Sequence, residues 1–244
     1  MAMTKPKTRF APTPSGYLHL GNVYNALACQ KWAKENDAKL VLRIDDIDRA
    51  RFRIEYLEDI FKTMDWLGIE FDEGPSGVED FLKNYSQHTK LDQYKKYLGP
   101  IIQDTFACEC SRKDLAGIDH YPGTCRDKNL AYKEDLNLRL KPIDVIIYKK
   151  DLLPSYHWSC VIDDYEMNIT HLIRGEDLIP STSIQEKLRE KLNLPSISST
   201  HHPLISDESG KKLSKSTLKN GKPLMNQFSN KDIFLATTNL RDIL

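Results

Sequence analysis

The stretch RFAPTPSGYLHLGN, residues 9–22, decides the fold of this 244-residue chain. The stretch begins within a short strand predicted at 8–11. Its two prolines and glycine at 12–16 then require a loop. A helix is predicted after Gly21, because apolar side chains then recur at helical spacing until Asn36. A His-x-Gly triplet where a loop enters a helix suits a nucleotide, since glycine admits close approach and a helix N-terminus favours anions. A histidine that merely caps a surface turn is the simpler alternative for the triplet alone.

The residues after this stretch continue an α/β rhythm. KLVLRI at 39–44 predicts a buried strand, and an apolar helical stripe from Ile54 to Leu67 ends at Gly68. This order predicts a parallel sheet with crossover helices. After a central interruption the rhythm resumes, with strands predicted for SCVIDD and ITHLI and a helix for 181–192. The expected organisation is the first half of an α/β domain at 8–71, an inserted subdomain at 72–150, the second half at 151–216 and a short tail at 217–244.

Composition excludes several classes of protein. With 40% hydrophobic residues and no apolar run near the ~20 residues of a membrane span, no membrane association is expected. The N-terminus lacks the apolar stretch of a signal peptide, which predicts a cytoplasmic protein. Lys and Arg total 35, as do Asp and Glu, so a nucleic-acid partner would need a local basic patch. Five cysteines in such a chain do not indicate a disulfide framework.

A second motif is GKKLSKS at 210–216. Closely spaced lysines and hydroxyls in a glycine-flanked loop suit a polyphosphate, because they neutralise charge that develops in phosphoryl chemistry. A solvated lysine run is the alternative. These lysines belong to the one local basic patch that the sequence offers.

A third motif is a set of cysteines in the central segment. Cys108, Cys110 and Cys125 supply three soft ligands for a tetrahedral zinc ion. On chemistry alone His120 is preferred to Tyr121 as the fourth ligand, and three unrelated buried thiols are the alternative. Cys29 and Cys160 lie in predicted core elements and are expected to be packed there.

The motifs together resemble the class I aminoacyl-tRNA synthetases. HLGN at 19–22 and KLSKS at 212–216 are similar to their two signature sequences. The opening stretch, RIDDID at 43–48 and ITHLIRGED at 169–177 are closer to the glutamyl branch. This resemblance implies a Rossmann-type parallel-sheet nucleotide-binding domain with an inserted zinc-containing subdomain. The Cys-x-Cys segment with Tyr-x-x-x-Cys resembles the zinc site of glutamyl-queuosine tRNA(Asp) synthetases, in which the tyrosine is a ligand, and this favours Tyr121.

The resemblance also implies roles for individual residues. His19 and Lys215 are the expected catalytic groups, with ATP as a substrate and Mg²⁺ as a cofactor. Guanidinium groups pair bidentately with carboxylates, which suits a glutamate substrate. Asp45 stands where the family has a glutamate, one methylene longer, for the substrate amino group. The predicted glutamate-binding residues are Arg9, Thr13, Asp45, Tyr156 and Arg174, and the predicted ATP-binding residues are His19, Gly21, Asn22, Lys212, Ser214 and Lys215.

Only 28 residues follow Ser216, so no anticodon-binding region is expected. The resemblance therefore favours a monomer that activates L-glutamate and transfers it to queuosine in the anticodon stem-loop of tRNA(Asp). The alternatives are a catalytic fragment of a glutamyl-tRNA synthetase that charges tRNA(Glu), a catalytically silent tRNA-binding homologue, and a small-molecule adenylyltransferase.

Overall fold

A computed structural model describes residues 5–111, 113–118, 120–204, 222–228 and 230–231. The described residues form two compact units. The first contains the chain up to Thr89, then Asn168–Ile179 and the part from Ile197 onward; the second contains Lys90–Met167 and Pro180–Ser196.

The described residues contain seven short strands and six α-helices. The strands are β1 (Lys7–Phe10), β2 (Lys39–Leu42), β3 (Thr105–Cys108), β4 (Asn137–Leu140), β5 (Val145–Tyr148), β6 (His171–Gly175) and β7 (Ser198–His202). The α-helices are α1 (Leu20–Glu35), α2 (Ile54–Leu67), α3 (Val78–Asp80), α4 (Leu91–Lys96), α5 (Tyr156–Glu166) and α6 (Ile179–Lys191). Single turns of other helical types cover Phe81–Tyr85, Gln87–Lys90, Gly99–Asp104, Glu176–Leu178 and Leu224–Asn226. No helix in these described ranges is both long and apolar enough to cross a membrane.

The first unit is built on two pairs of parallel strands. β1 pairs with β2 in a register that sets Phe10 opposite Leu42, and β6 pairs with β7. The N–H of Thr170 donates to the carbonyl of Lys7 at 3.0 Å, which joins the start of β6 to β1. The predicted parallel α/β arrangement is confirmed in this unit.

Helices α1 and α2 cover one side of these strands. Alternation along a strand sends every second side chain to that side, and Phe10, Leu42 and Ile173 pack there with the helices. The predicted stripe of α2 supplies Leu57, Ile60, Met64 and Leu67 to this core. Gly68 ends α2 in the left-handed conformation at φ 66°, as its position after the stripe predicts.

The second unit has an antiparallel sheet, β3-β4-β5, packed with helices. Its core joins Leu140 of the sheet to Tyr94, Trp158, Ile162 and Leu188. Residues 72–89 therefore lie in the first unit and residues 151–167 in the second.

The predicted strand at SCVIDD is wrong, because these residues lie in α5. Ser155 begins this helix, and its side chain accepts a hydrogen bond from the N–H of Trp158 at 3.3 Å. The helix is buried along Trp158–Asp164, so it lacks the polar stripe by which helical periodicity is read. Even the carboxylate of Asp163 is buried, where it accepts a hydrogen bond from the hydroxyl of Tyr94. A short apolar run in such surroundings does not distinguish a strand from a helix.

Candidate active site

The loop between β1 and α1 is closed by hydrogen bonds around His19. The imidazole Nδ1 accepts from the N–H of Gly21 at 3.1 Å, and the side-chain oxygen of Asn22 accepts from the N–H of His19 at 3.1 Å. These reciprocal bonds satisfy donors that a helix start otherwise leaves exposed. The structure thus brings together the three predicted residues of the HLGN motif.

This arrangement sets the chemistry of His19. Because Nδ1 accepts a hydrogen bond, the proton of the neutral ring resides on Nε2, which can donate to an anion. The sixteen-residue helix that begins here adds a partial positive charge at the same end. A Cβ on Gly21 would lie 3.0 Å from Cε1 of the imidazole, so glycine leaves the space that the ring occupies.

Asp59 of α2 holds this loop in place through a hydrogen bond to the backbone of Leu18. Its carboxylate accepts a hydrogen bond from the N–H of Leu18 at 2.9 Å and is only 2% exposed. Burial raises the pKa of Asp59, although the hydrogen bonds from Leu18 and Thr63 act in the opposite direction. Sequence reasoning missed this residue. The signal in the sequence was a single acidic residue within the apolar stripe of α2, because a buried carboxylate needs a hydrogen-bond partner.

Four charged side chains occupy the sheet face that points away from the helical core. Arg9, Arg43 and Arg174 each neighbour a strand residue that packs against α1 and α2, so alternation directs them to the other face. Asp45 continues this pattern, because it follows Ile44, which packs in the same core. The N–H of Asp45 donates to the carbonyl of Pro12 at 3.0 Å, so the backbone pairing extends to this residue. All four residues are less than 7% exposed. The predicted carboxylate-binding arginines therefore lie in the same buried layer.

Asp45 has a partner that the sequence did not reveal. The guanidinium of Arg43 contacts both of its carboxylate oxygens, with Nε to Oδ1 at 2.7 Å and Nη2 to Oδ2 at 3.1 Å. Thr13, the other predicted residue of this region, is half-buried in the loop next to Pro12. The neighbouring Asp46 instead holds the chain at 86–87, where it accepts from the Ser86 hydroxyl and the Gln87 N–H, each at 2.7 Å.

Cys29 and Asn25 connect α1 to the strands beneath the arginines. The thiol of Cys29 lies 3.5 Å from the carbonyl oxygen of Arg9 and 3.8 Å from that of Ile173. Cys29 is a buried, packed thiol, as predicted, and this burial raises its pKa to about 12. The amide of Asn25 donates to the Ile173 carbonyl at 2.9 Å and lies 3.1 Å from Nε2 of His202.

The histidines at the end of β7 were also missed. Nδ1 of His202 lies 3.0 Å from the carbonyl of Pro203, so the proton is assigned to Nδ1 and Nε2 accepts from Asn25. His201 is the register partner of Arg174. Burial lowers the pKa of His201, and the charge of Arg174 lowers it further.

The structure does not bring the remaining predicted residues together with these. Tyr156 is the first residue of α5 in the second unit and is exposed. Lys212, Ser214 and Lys215 lie outside the described residues.

The predicted metal ligands cluster in the second unit. The thiols of Cys108, Cys110 and Cys125 all lie within 4.8 Å of one another, and the Cys110 and Cys125 sulfurs are 3.6 Å apart. The phenol oxygen of Tyr121 lies 3.4 Å from the Cys108 sulfur and accepts from the N–H of Cys125 at 2.8 Å. His120 is exposed. Of the two alternatives for a fourth ligand, Tyr121 is therefore the residue that touches the thiols.

These distances match a tetrahedral zinc site. Zinc–sulfur bonds of about 2.3 Å at tetrahedral angles hold two sulfurs about 3.8 Å apart, and a sulfur and an oxygen about 3.5 Å apart. Burial and the neighbouring thiols raise the pKa of Cys110 to about 11. Burial also opposes ionisation of Cys125, yet the Tyr121 hydroxyl, the Glu109 N–H and the neighbouring thiols lower its pKa overall. A metal that binds here must therefore displace protons.

Comparison with known proteins assigns the family. The profile of "tRNA synthetases class I (E and Q), catalytic domain" matches residues 5–121 and 118–233. A glutamate–tRNA ligase of Buchnera aphidicola subsp. Acyrthosiphon pisum is 34% identical over 248 residues, which cover 86% of this chain and 51% of that ligase. One of Xanthomonas axonopodis pv. citri is 35% identical over 239 residues, with the same coverage.

Solved structures agree with this assignment. The glutamate-tRNA synthetase of Elizabethkingia anophelis superposes with a TM-score of 0.73 at 28% identity, over 87% of this chain and 53% of that structure. The glutamate tRNA ligase of Elizabethkingia meningosepticum, in complex with its amino acid, gives 0.72 at 28% identity, over 87% of this chain and 52% of that structure. The chain spans about half the length of the relatives it matches. It belongs to the catalytic-domain family of the class I (E and Q) tRNA synthetases.

Proposed function

We propose that this chain activates L-glutamate with ATP as glutamyl-adenylate and transfers the glutamyl group to the queuosine base of tRNA(Asp). ATP and glutamate are its small substrates, the anticodon stem-loop is its macromolecular partner, and it acts as a cytoplasmic monomer. The observation that carries the activation step is the imidazole-capped start of α1, beside a sheet layer that contains buried arginines.

In the activation step a carboxylate oxygen attacks the α-phosphorus of ATP, and pyrophosphate leaves. His19 donates a hydrogen bond from Nε2 to the phosphates, while the N-terminus of α1 stabilises their charge. Gly21 and Asn22 keep the approach to the nucleotide open and the imidazole in place. Lys212, Ser214 and Lys215 bind the leaving pyrophosphate together with Mg²⁺, which offsets its charge.

Glutamate binding rests on the arginine layer. Arg9 and Arg174 pair with the substrate carboxylates, because a guanidinium matches a carboxylate in shape and charge. Thr13 and Asp45 interact with the substrate amino group, and the phenol of Tyr156 adds a hydrogen bond. Since Arg43 already pairs with Asp45, the carboxylate meets the amino group in a fixed orientation.

The queuosine acceptor is supported by the tyrosine at the cysteine cluster, because the segment resembles the zinc site of glutamyl-queuosine tRNA(Asp) synthetases, in which a tyrosine is a ligand. Cys108, Cys110, Tyr121 and Cys125 hold Zn²⁺, and the contact of Tyr121 with the thiols supports this ligand set. With zinc bound, these four residues would tie the ends of the 108–125 segment together, which is a structural role for the metal. The names of the relatives favour a second candidate, a glutamyl-tRNA synthetase domain that charges tRNA(Glu).

ATP–pyrophosphate exchange with glutamate and no tRNA tests the activation step, with aspartate and glutamine as controls. His19→Asn retains a side chain that caps helices well but removes the imidazole, so we expect exchange to fall about 100-fold with little loss of stability. His171→Asn is the matched control, because the ring of His171 packs on Trp32 and should not affect exchange. Exchange that needs added tRNA favours the charging enzyme, and none in either condition favours a silent binding homologue.

The acceptor is tested with radiolabelled glutamate and three RNAs. They are tRNA(Asp) with queuosine, tRNA(Asp) without it, and tRNA(Glu). After ribonuclease T1 digestion, label in the anticodon fragment of the first RNA alone supports the proposal. Label at the 3′ end of tRNA(Glu) supports the second candidate and contradicts the queuosine acceptor.

A further inference from the structure

Arg139, a residue outside the predicted ligand set, stacks on the ring of Tyr121. Its guanidinium carbon lies 3.8 Å from the ring centroid, and the residue is 5% exposed. A cation this close to an aromatic face is attracted by the ring, more strongly when water is excluded. The contact therefore ties the orientation of the phenol to a fixed positive charge.

The sheet holds Arg139 in this position. β4 pairs with β3 so that Arg139 lies opposite Phe106 and Asn137 lies opposite Cys108. Nη1 of Arg139 donates to the carbonyl of Asp144 at 2.6 Å, whereas Nε has no hydrogen-bond partner within the described part of the chain. One backbone acceptor and the Tyr121 ring thus account for the observed contacts of this buried cation.

The contact places a positive charge beside ligands that are negatively charged when they bind a metal. Three thiolates and one phenolate carry four negative charges, of which a divalent ion offsets two. Uncompensated charge away from water is costly, so a buried guanidinium next to one ligand stabilises the loaded site. Lys141 also lies over a ring, but this is the ring of Phe106, which is not a predicted ligand, and the distance is 5.8 Å.

We propose that Arg139 is a positioning residue of the metal centre: it orients Tyr121 toward the thiols and compensates the charge of the four-ligand site. This inference rests on the zinc part of the proposed function. It predicts that the positive charge at position 139, and not only its bond to Asp144, sets the affinity for zinc. Partners beyond the ligands commonly change metal affinity by 10- to 100-fold.

The test compares zinc affinities of purified holoproteins, measured by competition with a chromophoric chelator and by metal content. Arg139→Gln retains a donor for the Asp144 carbonyl but removes the charge, so we expect at least about tenfold weaker zinc binding. Arg139→Lys restores a cation and should recover most of the affinity. Lys141→Gln, the matched control, should bind zinc as the wild type does.

Each outcome separates the two proposals. Wild-type protein without zinc refutes the zinc site itself. Wild-type protein that holds zinc, with Arg139→Gln equal to it, overturns the role of Arg139. If Arg139→Gln does not fold, the lysine variant decides by itself. Zinc affinity close to that of the wild type supports the inference, and a loss of about tenfold or more in Arg139→Lys overturns it.

Discussion

Replacing Gly21 by alanine should separate the stability of α1 from the chemistry at its N-terminus. The added Cβ would lie 3.0 Å from Cε1 and 3.1 Å from Nδ1 of His19, closer than ordinary van der Waals contact. Because the backbone of Gly21 is part of the helix, the imidazole must move. This shift weakens the hydrogen bond that the ring accepts from the Gly21 N–H.

The two effects on stability oppose each other. Alanine in place of glycine within a helix stabilises by about 1 kcal/mol, and loss of an N-cap contact costs about 1 kcal/mol. The free energy of unfolding should therefore change by less than about 1 kcal/mol. Activity has no such compensation, because a displacement of about 1 Å in a catalytic group can lower a rate about 100-fold, and the ring must move by a few tenths of an ångström. We expect kcat for glutamate-dependent pyrophosphate exchange to fall about 3- to 10-fold.

Urea denaturation and pyrophosphate exchange on the same preparation test this reasoning. Gly77→Ala is the matched control, since a Cβ there meets nothing within 4 Å and φ is ordinary at 173°. That variant should keep wild-type kcat. Full activity of Gly21→Ala at unchanged stability would show that the position of the imidazole does not matter for the reaction.

Substitutions of three further residues test individual polar contacts by urea denaturation. Asp59 holds its proton more tightly in the folded protein, so its contribution to stability falls as pH rises through its pKa. The stability of the wild type relative to Asp59→Asn should thus decline as the pH rises above about 4, and a constant difference contradicts the raised pKa. Asp46→Ala leaves the buried donors of Ser86 and Gln87 without their acceptor and should cost about 3 kcal/mol, against a negligible loss if water replaces the carboxylate. Ser155→Ala removes the cap of α5 and should cost about 1 kcal/mol, whereas Ser155→Asn should restore it.

Local sequence signals predicted the first unit well. Apolar periodicity and a terminal glycine located α2 from Ile54 to Leu67, and the prolines of 12–16 located the loop before α1. These features depend on residues near one another in the chain, which is why spacing alone reveals them. The same method mistook part of α5 for a strand, because tertiary packing buries that helix on all sides.

The sequence by itself determined the order of elements from β1 to α2, the HLGN motif, the cysteine cluster as a candidate metal site and the resemblance to a synthetase family. Only the tertiary structure decided which side chains complete each site. Asp59 reaches Leu18 across 41 residues, Arg43 pairs with Asp45, and Arg139 of β4 stacks on Tyr121. The physical reason is that burial forces every charge to find a partner, and packing, not spacing along the chain, selects that partner.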